Sequence, residues 1–412
     1  MLSTVRFVFP IASLAILASW SPHAWCQVTS RADEIRRQRI EKQAMLWPER
    51  TPGIVKQLNK YAERGLLEGA RSGEGTNGLQ LVIGGMRSGN GAAFGIGYRR
   101  VDLWQERVAF RTTARGTYKL GYMFDFLIKF PRLKSERGEV EVYSKYENSP
   151  MLDFYGQGPD SHRINRTSFR LEDTSVDFRG RYRVWRNLYL GAFGGAYRPN
   201  VGRGKRSGYL SAEEKFSPAE TNGLAQQTGF IRAGGRLQYD YRDLASGPRD
   251  GGNYYATYTR YWDQDLGRHT FHRLDTALEQ FFPYWNKTHV LALRLGTVMT
   301  WANEGQTVPF YLQPTLGGNE YLRGFARYRF YDQNTILASA EHRWHVFSGG
   351  YAAAFFEMGK VAPKASQLNF HNVECTGGIG IRFMLRDAVF MRIDSAVSRE
   401  GLRLIWTFGD MW

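Results

Sequence analysis

The chain has 412 residues, a formal net charge of +16, 15% aromatic residues, 45 glycines and only 14 prolines. A globular chain of this length would form roughly two or three domains. The lack of a long apolar run after the first residues excludes a bundle of transmembrane helices. It does not exclude a transmembrane barrel, because each barrel strand needs only one apolar face and its hydropathy signal is weak.

Residues 1–26 have the layout of a secretory signal peptide. Arg6 precedes an apolar region over about 7–20, and a small-residue pattern leads to Cys26, after which we expect cleavage. A buried helix is the alternative interpretation. Cleavage there leaves Cys375 as the only thiol, so no intramolecular disulfide would support the mature protein.

The segment 27–77 differs in composition from the remainder of the chain. It is charged, basic and helix-prone, with interruptions at Pro48 and Pro52. We expect helical pieces near 31–46 and 53–68, followed by a Gly/Ser-rich linker. The basic side chains either form a solvated face or contact an anionic surface.

From Gly78 onward the apolar residues recur with a period of two, which is typical of β-strands. In the stretch 176–184, one face carries Val176, Phe178, Tyr182 and Val184, and the other carries Asp177, Arg179, Arg181 and Arg183. A soluble, half-buried sheet would also alternate. A polar face of arginines mixed with acids favours a barrel with a charged lumen and a lipid-facing exterior.

The alternation predicts an all-β fold, a sixteen-stranded antiparallel transmembrane β-barrel over 78–412. The strands are expected near 78–86, 91–101, 105–114, 117–130, 137–147, 167–184, 187–198, 228–240, 252–262, 269–282, 287–300, 335–346, 351–359, 372–383, 388–396 and 401–412. Even-numbered strands are mostly followed by tight turns, and several odd-numbered strands by long segments, as in outer-membrane barrels whose long loops lie outside. An even count places both chain ends on the periplasmic side, so 27–77 would be a short helical periplasmic segment.

The last predicted strand is amphipathic and aromatic. Leu404, Trp406 and Phe408 share one face, and the chain ends with Gly409 and Trp412 in the pattern G-x-x-W. Such a strand suits barrel closure and an aromatic girdle at the membrane interface. Any amphipathic last strand would look similar.

One motif stands in the longest predicted outer loop, between strands eleven and twelve. It is "LRGF", made of Leu322, Arg323, Gly324 and Phe325. Strand twelve carries Glu341 on its charged face, and strand thirteen carries "FFEMG", with Phe355, Glu357 and Gly359 at alternate positions. The loop segment "DFYGQGPDS", 153–161, and the G-x-x-W ending complete the set.

Together these motifs resemble the BamA/TamA superfamily of outer-membrane proteins, also called the bacterial surface antigen family, which includes the two-partner secretion transporters. The resemblance implies a sixteen-stranded barrel in a Gram-negative bacterium whose sixth outer loop folds back into the lumen. It also implies that Arg323 meets Glu341 and Glu357, where the family usually has aspartate on strand thirteen. Gly324 would allow a close backbone approach, and Phe325 would pack on the inner wall. The alternative is a solvent-exposed surface arginine.

Family members that insert or export proteins usually carry polypeptide-transport-associated domains before the barrel, and each such domain is longer than the segment 27–77. The chain therefore resembles a barrel-only member. By this resemblance we expect a role in outer-membrane biogenesis, in protein insertion, translocation or lipid transfer, at a weak seam near 79–86 and 402–408. Its partners would be outer-membrane lipid, lipopolysaccharide and client outer-membrane or secreted proteins. The alternative is a loop-plugged pore or surface binding protein without insertase activity.

We expect neither an enzyme nor a metal, cofactor or nucleic-acid site. The pairs His269/His272 and His342/His345 are three residues apart, so on a strand the two members face opposite sides and cannot share an ion. No Ser-His-acid set is visible. Lumenal arginines and contacts with lipopolysaccharide explain the basic charge without nucleic acid.

Overall fold

A computed structural model of the chain describes residues 67–69, 77–133, 137–285, 288–347, 349–369, 371–385 and 388–408. The expected signal peptide 1–26, the expected helical piece near 31–46 and the terminal residues Gly409 and Trp412 lie outside these ranges. No helix in the described part of the chain is long and apolar enough to cross a membrane.

The described residues confirm the sixteen-stranded antiparallel barrel. Its strands are β1 (Gly78–Ile83), β2 (Ala93–Leu103), β3 (Val108–Thr117), β4 (Tyr122–Leu133), β5 (Gly138–Phe154), β6 (Thr167–Trp185), β7 (Leu188–Arg203), β8 (Phe230–Asp240), β9 (Gly251–Asp263), β10 (Phe271–Tyr284), β11 (His289–Ala302), β12 (Asn334–Phe347), β13 (Gly350–Ala362), β14 (Glu374–Leu385), β15 (Ala388–Ser398) and β16 (Gly401–Phe408). Each strand pairs antiparallel with the next one in the chain.

The two faces of the sheet reverse the pattern of a soluble protein. Large apolar side chains point outward and are exposed, such as Ile96 and Phe178, which are 65% and 61% accessible. Charged side chains such as Asp125 and Asp177 are buried on the inner face. A lipid-facing exterior explains the exposed apolar band, and paired charges in the lumen explain the buried acids.

Connections on one side of the barrel are short, such as 104–107 and 186–187, and those on the other side include the long loops 204–229 and 303–333. We call these the short-turn side and the long-loop side. One connection on the short-turn side, 241–250, is longer than a tight turn. There the carboxylate of Asp243 accepts hydrogen bonds from three backbone N–H groups, which closes the turn without a tight hairpin.

Helices and short strands among the described residues belong to the loops, with one exception. The loops contain the helix Ala212–Lys215, the 3-10 turns Arg163–Asn165, Phe310–Leu312 and Ala365–Gln367, and a short strand pair, Thr315–Leu316 with Phe330–Tyr331. The exception is Leu67–Gly69, a short strand before the barrel.

At Leu67 and Glu68, the end of the piece 53–68 for which helix was expected, the chain is strand, and the rest of that piece, 53–66, lies outside the described residues. The strand pairs in parallel with β1, with Leu67 opposite Leu81 and Gly69 opposite Ile83. Because β2 already occupies one edge of β1, this strand takes the other edge. An open strand edge offers backbone donors and acceptors, and that pairing outweighs a weak local helix propensity.

Candidate functional site

The loop 303–333 carries the LRGF motif on a short hairpin stem, in which Thr315–Leu316 pairs with Phe330–Tyr331. Leu322 and Phe325 are fully buried, and the ring of Phe325 contacts that of Phe330 edge-on, with 5.2 Å between centroids. The motif therefore lies packed against the barrel wall, away from solvent.

Arg323 is fully buried and makes ion pairs with three strands. Its Nε and its backbone N–H donate to the two oxygens of Glu357, at 2.9 and 2.8 Å. Its Nη1 donates to Glu341 at 2.9 Å and lies 3.5 Å from Asp394. The guanidinium stacks on Phe355, 3.3 Å from the ring centroid. A planar, forked cation can satisfy this set of partners, and a lysine ammonium cannot.

Two glycines allow the backbone of the motif to approach the wall. The N–H of Gly324 donates to the Thr376 hydroxyl, and the Ser398 hydroxyl donates to the Gly324 carbonyl, both at 2.9 Å. A Cβ on Gly324 would lie 2.4 Å from the Thr376 oxygen, so no larger residue fits. A Cβ on Gly359 would lie 3.0 Å from the Ile336 carbonyl oxygen and 3.1 Å from the Leu316 side chain, so glycine lets the stem of the loop lie close to β13.

Three further arginines, which sequence reasoning did not assign to the site, extend the ion pairs across the inner wall. Arg343 and Arg382 both donate to Glu341 at 2.8 Å, and Arg382 also donates to Asp394 at 2.6 Å. Arg392 lies 3.5 Å from Asp394. All of these side chains are at most 7% exposed.

The site therefore joins four guanidinium groups to three carboxylates, with one positive charge in excess. Because the charges are desolvated, removing one partner leaves the others unpaired and lowers the free energy of unfolding by about 3–5 kcal/mol. The arrangement can hold the loop against β12–β15. The sequence signal for Asp394 and Arg392 was their place on the polar face of β15, but alternation alone does not give the register between strands.

The same loop also contacts the last strand. Arg403 on β16 donates from Nη1 to the carbonyl oxygen of Arg323 at 3.0 Å. Asn319 in the loop donates to the Thr407 hydroxyl at 3.1 Å and accepts from Arg392. The inner face of β16 is thus tied to the loop by side chains.

We call the boundary between β1 and β16 the seam. Every strand from β1 to β16 pairs with the next one in the chain, but among the described residues no register pair joins β16 back to β1. The two strands do come close at one end, where a Cβ on Gly84 would lie 4.0 Å from the Cβ of Phe408. Elsewhere the β1 edge at the seam is taken by Leu67–Gly69.

The segment 153–161 forms part of the cover on the long-loop side. The N–H of Gly158 donates to the carbonyl of Tyr331 at 2.8 Å. Arg329, which is 1% exposed, donates to the Ser161 hydroxyl at 2.8 Å and to Glu400 at 2.6 Å. The second motif and the LRGF loop therefore pack together.

The terminal strand turns large apolar side chains outward. Leu404 and Trp406 are exposed on the outer face, at 77% and 65%, and the rings of Trp406 and Phe408 lie 5.6 Å apart. No group of three or more His, Cys, Asp or Glu side chains in the described part of the chain could hold a metal ion.

Fold and site together define a class of protein: an outer-membrane type of sixteen-stranded barrel with a long loop seated in its lumen. Among solved structures, the chain is similar to BamA from Haemophilus ducreyi lacking POTRA domains 1–3, with a TM-score of 0.60 and 13% identity over 87% of this chain and 78% of that one. It is also similar to CdiB from Escherichia coli, with a TM-score of 0.51 and 11% identity over 78% of this chain and 60% of that one. No protein-family model and no curated protein matches the sequence. The chain has the barrel fold of BamA and CdiB.

Proposed function

We propose that this chain acts at the outer membrane in its biogenesis, by assisting the insertion or translocation of client proteins, with lipid transfer at the same seam as a variant of that role. The observation that carries the proposal is the seam. Fifteen neighbouring strand pairs have a backbone register, and the pair β16–β1 has none among the described residues.

An unpaired strand edge within a bilayer is costly, because lipid offers no hydrogen-bond partners to the backbone. Among the described residues no register pair occupies this edge along 401–407 of β16, and the strand of another protein could pair there. The short strand Leu67–Gly69 satisfies part of the β1 edge in the same way. These features support a seam that opens to a client strand. In this proposal the N-terminal segment lies in the periplasm, and the outer surface of the barrel contacts lipid and lipopolysaccharide.

The lumen loop supports the same proposal by a separate route. Its buried ion pairs with Glu341 and Glu357 fill the inside of β12–β13, so a wide, steady channel is not expected. The contact between Arg403 and Arg323 allows the loop to hold β16 in place while the seam lacks backbone pairing.

A loop-plugged pore or surface binding protein without insertase activity is the second candidate. It is favoured by the outer cover, in which Arg329 fixes the LRGF loop to Ser161 and Glu400. Single-channel recording separates the two candidates. A steady open pore favours the second, and small irregular openings favour the first.

The decisive experiment is to close the seam reversibly. Gly84→Cys with Phe408→Cys places two Cβ atoms about 4.0 Å apart, within disulfide range, in a Cys375→Ser background. A deletion strain is complemented with the wild type, each single-cysteine variant or the pair, and its outer-membrane proteome is quantified. We expect a defined set of outer-membrane proteins to be depleted by deletion, restored by the wild type and single variants, and restored by the oxidised pair only after reduction. An unchanged proteome in the deletion strain would contradict the proposal.

A further inference from the structure

A cavity of about 420 Å³ lies in the lumen against β5–β9, apart from the loop site. It extends from the middle of the wall toward the short-turn side, where Glu139 and Tyr189 are second residues of their strands. Four arginines line it together with three carboxylates, so it has one positive charge in excess. They are Arg179, Arg181, Arg232 and Arg236, with Glu139, Glu141 and Asp177.

Two of the four arginines are fully engaged. Arg232 makes a two-point ion pair with Asp177, at 3.0 and 2.7 Å. Arg179 donates to Asp177 at 3.1 Å and to Glu141 at 3.2 Å. These ion pairs occupy the carboxylates of Asp177 and Glu141.

The other two arginines keep unused donors. Arg181 comes no closer than 3.7 Å to Glu139, which is beyond hydrogen-bond distance, and its buried Nε has no partner. Arg236 has no carboxylate within 4.0 Å among the described residues, and its hydrogen bond is a long one of 3.4 Å to Thr257. Each guanidinium is nevertheless held in place by a tyrosine ring, Arg181 on Tyr189 at 3.9 Å and Arg236 on Tyr255 at 4.1 Å.

These two arginines face each other across a glycine. In the sheet register, Arg181 on β6 is opposite Gly191 on β7, and Gly191 is opposite Arg236 on β8. The arginine backbones are therefore two strand spacings apart, about 10 Å. Gly191 has no side chain to fill the space between the two guanidinium groups, and a Cβ there would lie 3.6 Å from that of Arg236.

We propose that this cavity binds an organic phosphate, a phosphate monoester of a sugar or other polyol, with its phosphate over Gly191 between Arg181 and Arg236. Planar guanidiniums fixed by stacking are suited to two-point recognition of a phosphate. The volume exceeds what one inorganic phosphate fills and is in the range of small-molecule sites. Glu139 and Glu141 can accept hydrogen bonds from hydroxyl groups, and the Gln238 amide can donate or accept one. The carboxylates disfavour a second anionic group on the ligand.

The test is calorimetric titration of the full chain in a nonionic detergent with glucose 6-phosphate, glycerol 3-phosphate, inorganic phosphate and glucose. We expect the two organic phosphates to bind, glucose not to bind, and affinity to fall as salt is raised. Inorganic phosphate as tight as glucose 6-phosphate would contradict the organic part of the proposal, and no binding of any phosphate would overturn all of it.

Variants locate the site. Arg236→Gln and Arg181→Gln should each weaken binding at least about tenfold, as expected when a two-point ionic contact is lost. Gly191→Val, which keeps both arginines and fills the space between them, should abolish binding. Arg111→Gln is the matched control, because Arg111 is a lumenal arginine outside the cavity, paired with Asp125 at 3.4 Å. Heat-modifiable gel mobility checks that every variant is folded, and binding unchanged in folded Arg236→Gln would overturn the assignment.

The same chemistry could come from a free phosphate ester or from a lipid headgroup. The titration is therefore repeated in nanodiscs of phosphatidylcholine alone, with phosphatidic acid, whose headgroup is a phosphate monoester, or with phosphatidylglycerol, a diester that serves as the charge control. Unchanged affinity for glucose 6-phosphate assigns the site to a soluble ester. A loss of that affinity that phosphatidic acid causes, and that phosphatidylglycerol at equal charge does not cause, assigns it to a headgroup.

Discussion

Arg403, on the last barrel strand, donates a hydrogen bond to the backbone carbonyl of Arg323, 3.0 Å away. The strand at the seam therefore contacts the residue that anchors the loop. The side chain of Arg323 pairs in turn with Glu341 and Glu357 on β12 and β13. The free edge of the sheet is thus connected to strands four and three places away through one buried loop residue. This connection couples the loop position to the seam by direct contacts.

We predict that Arg403→Met, which keeps side-chain length and removes the donors, loosens β16 at the seam. A charged hydrogen bond of this kind contributes roughly 1–2 kcal/mol at a partly buried position. The measurement is the rate of disulfide formation between Gly84→Cys and Phe408→Cys, which should fall as β16 moves away from β1. Arg399→Met is the control, because Arg399 is exposed and its one ion pair in the described part of the chain is with Glu374. An equal rate in both variants would show that Arg403 does not position the strand.

We predict that Arg323→Ala destabilises the barrel by about 3–5 kcal/mol and makes the loop 303–333 sensitive to protease. The physical reason is Glu357, which is fully buried and accepts hydrogen bonds from Arg323 alone among the described residues. Guanidinium unfolding in detergent, followed by tryptophan fluorescence, measures the stability. Limited proteolysis measures the exposure of the loop.

A second substitution separates the two causes of that loss of stability, which are the missing ion pair and the unpaired buried carboxylate. Arg323→Ala with Glu357→Gln removes both partners and leaves no unpaired carboxylate on β13, so part of the stability lost in Arg323→Ala should return. Glu341 keeps Arg343 and Arg382 in either case. No recovery in the double variant would mean that packing, not charge pairing, holds the loop.

We predict that Gly324→Ala displaces the loop by steric conflict. Its Cβ would lie 2.4 Å from the Thr376 oxygen and 2.7 Å from the Ser398 Cβ, and neither atom is the end of a long, flexible side chain. Loss of stability should be about 1–3 kcal/mol, in the range of overpacking. Gly180→Ala is the matched control, because its nearest atoms would be 3.9 Å away. Equal protease resistance in the two variants would contradict the close approach.

The sequence predicts the barrel well because its signal is local. Every strand has a two-residue alternation of its own, and the order of short and long connections follows from the spacing of those strands. Boundaries differ where the lumen or loops extend a strand: β5 continues to Phe154 and β7 to Arg203, past the predicted ends at 147 and 198. At these ends the strands continue past the alternating, lipid-facing part of the barrel into the loops of the long-loop side.

The site is only partly predictable, because much of it depends on register between strands. The LRGF motif identifies Arg323, and its resemblance to a known family indicates Glu341 and Glu357. Asp394 contributes from β15, and nothing in the local pattern shows that it reaches Arg323. The alignment of Arg181, Gly191 and Arg236 on three neighbouring strands could not be predicted for the same reason. Alternation shows which face a side chain is on, but it does not align neighbouring strands.

We predict that Glu68→Pro releases the short strand Leu67–Gly69 from β1. Proline fixes the backbone torsion and removes an N–H, and both effects disfavour strand pairing. Hydrogen exchange at the amides of Leu81 and Ile83, the partners of Leu67 and Gly69, should then speed up. Glu68→Ala, which leaves the backbone N–H in place, is the control. If exchange is the same in both variants, the pairing does not protect the seam edge.

We predict that the seating of the loop weakens as the pH rises from 4 to 6. Asp332 lies in the loop just before β12 and is buried, and burial raises the pKa of its carboxyl group to about 6. In the unfolded chain the same group has a pKa of about 3.9. Between these values the folded state holds a proton that the unfolded state has lost, so stability falls with pH in this window and levels off above it.

Asp332→Asn should remove this dependence and make the loop more resistant to protease at pH 7 than in the wild type. The amide resembles the neutral carboxyl in shape, and its oxygen can still accept from the N–H of Gln333, which donates to Asp332 at 2.8 Å. The measurement is loop cleavage by a protease active across pH 4–7, normalised to its rate on an unfolded substrate. Equal slopes against pH for the wild type and Asp332→Asn would assign the effect to another group.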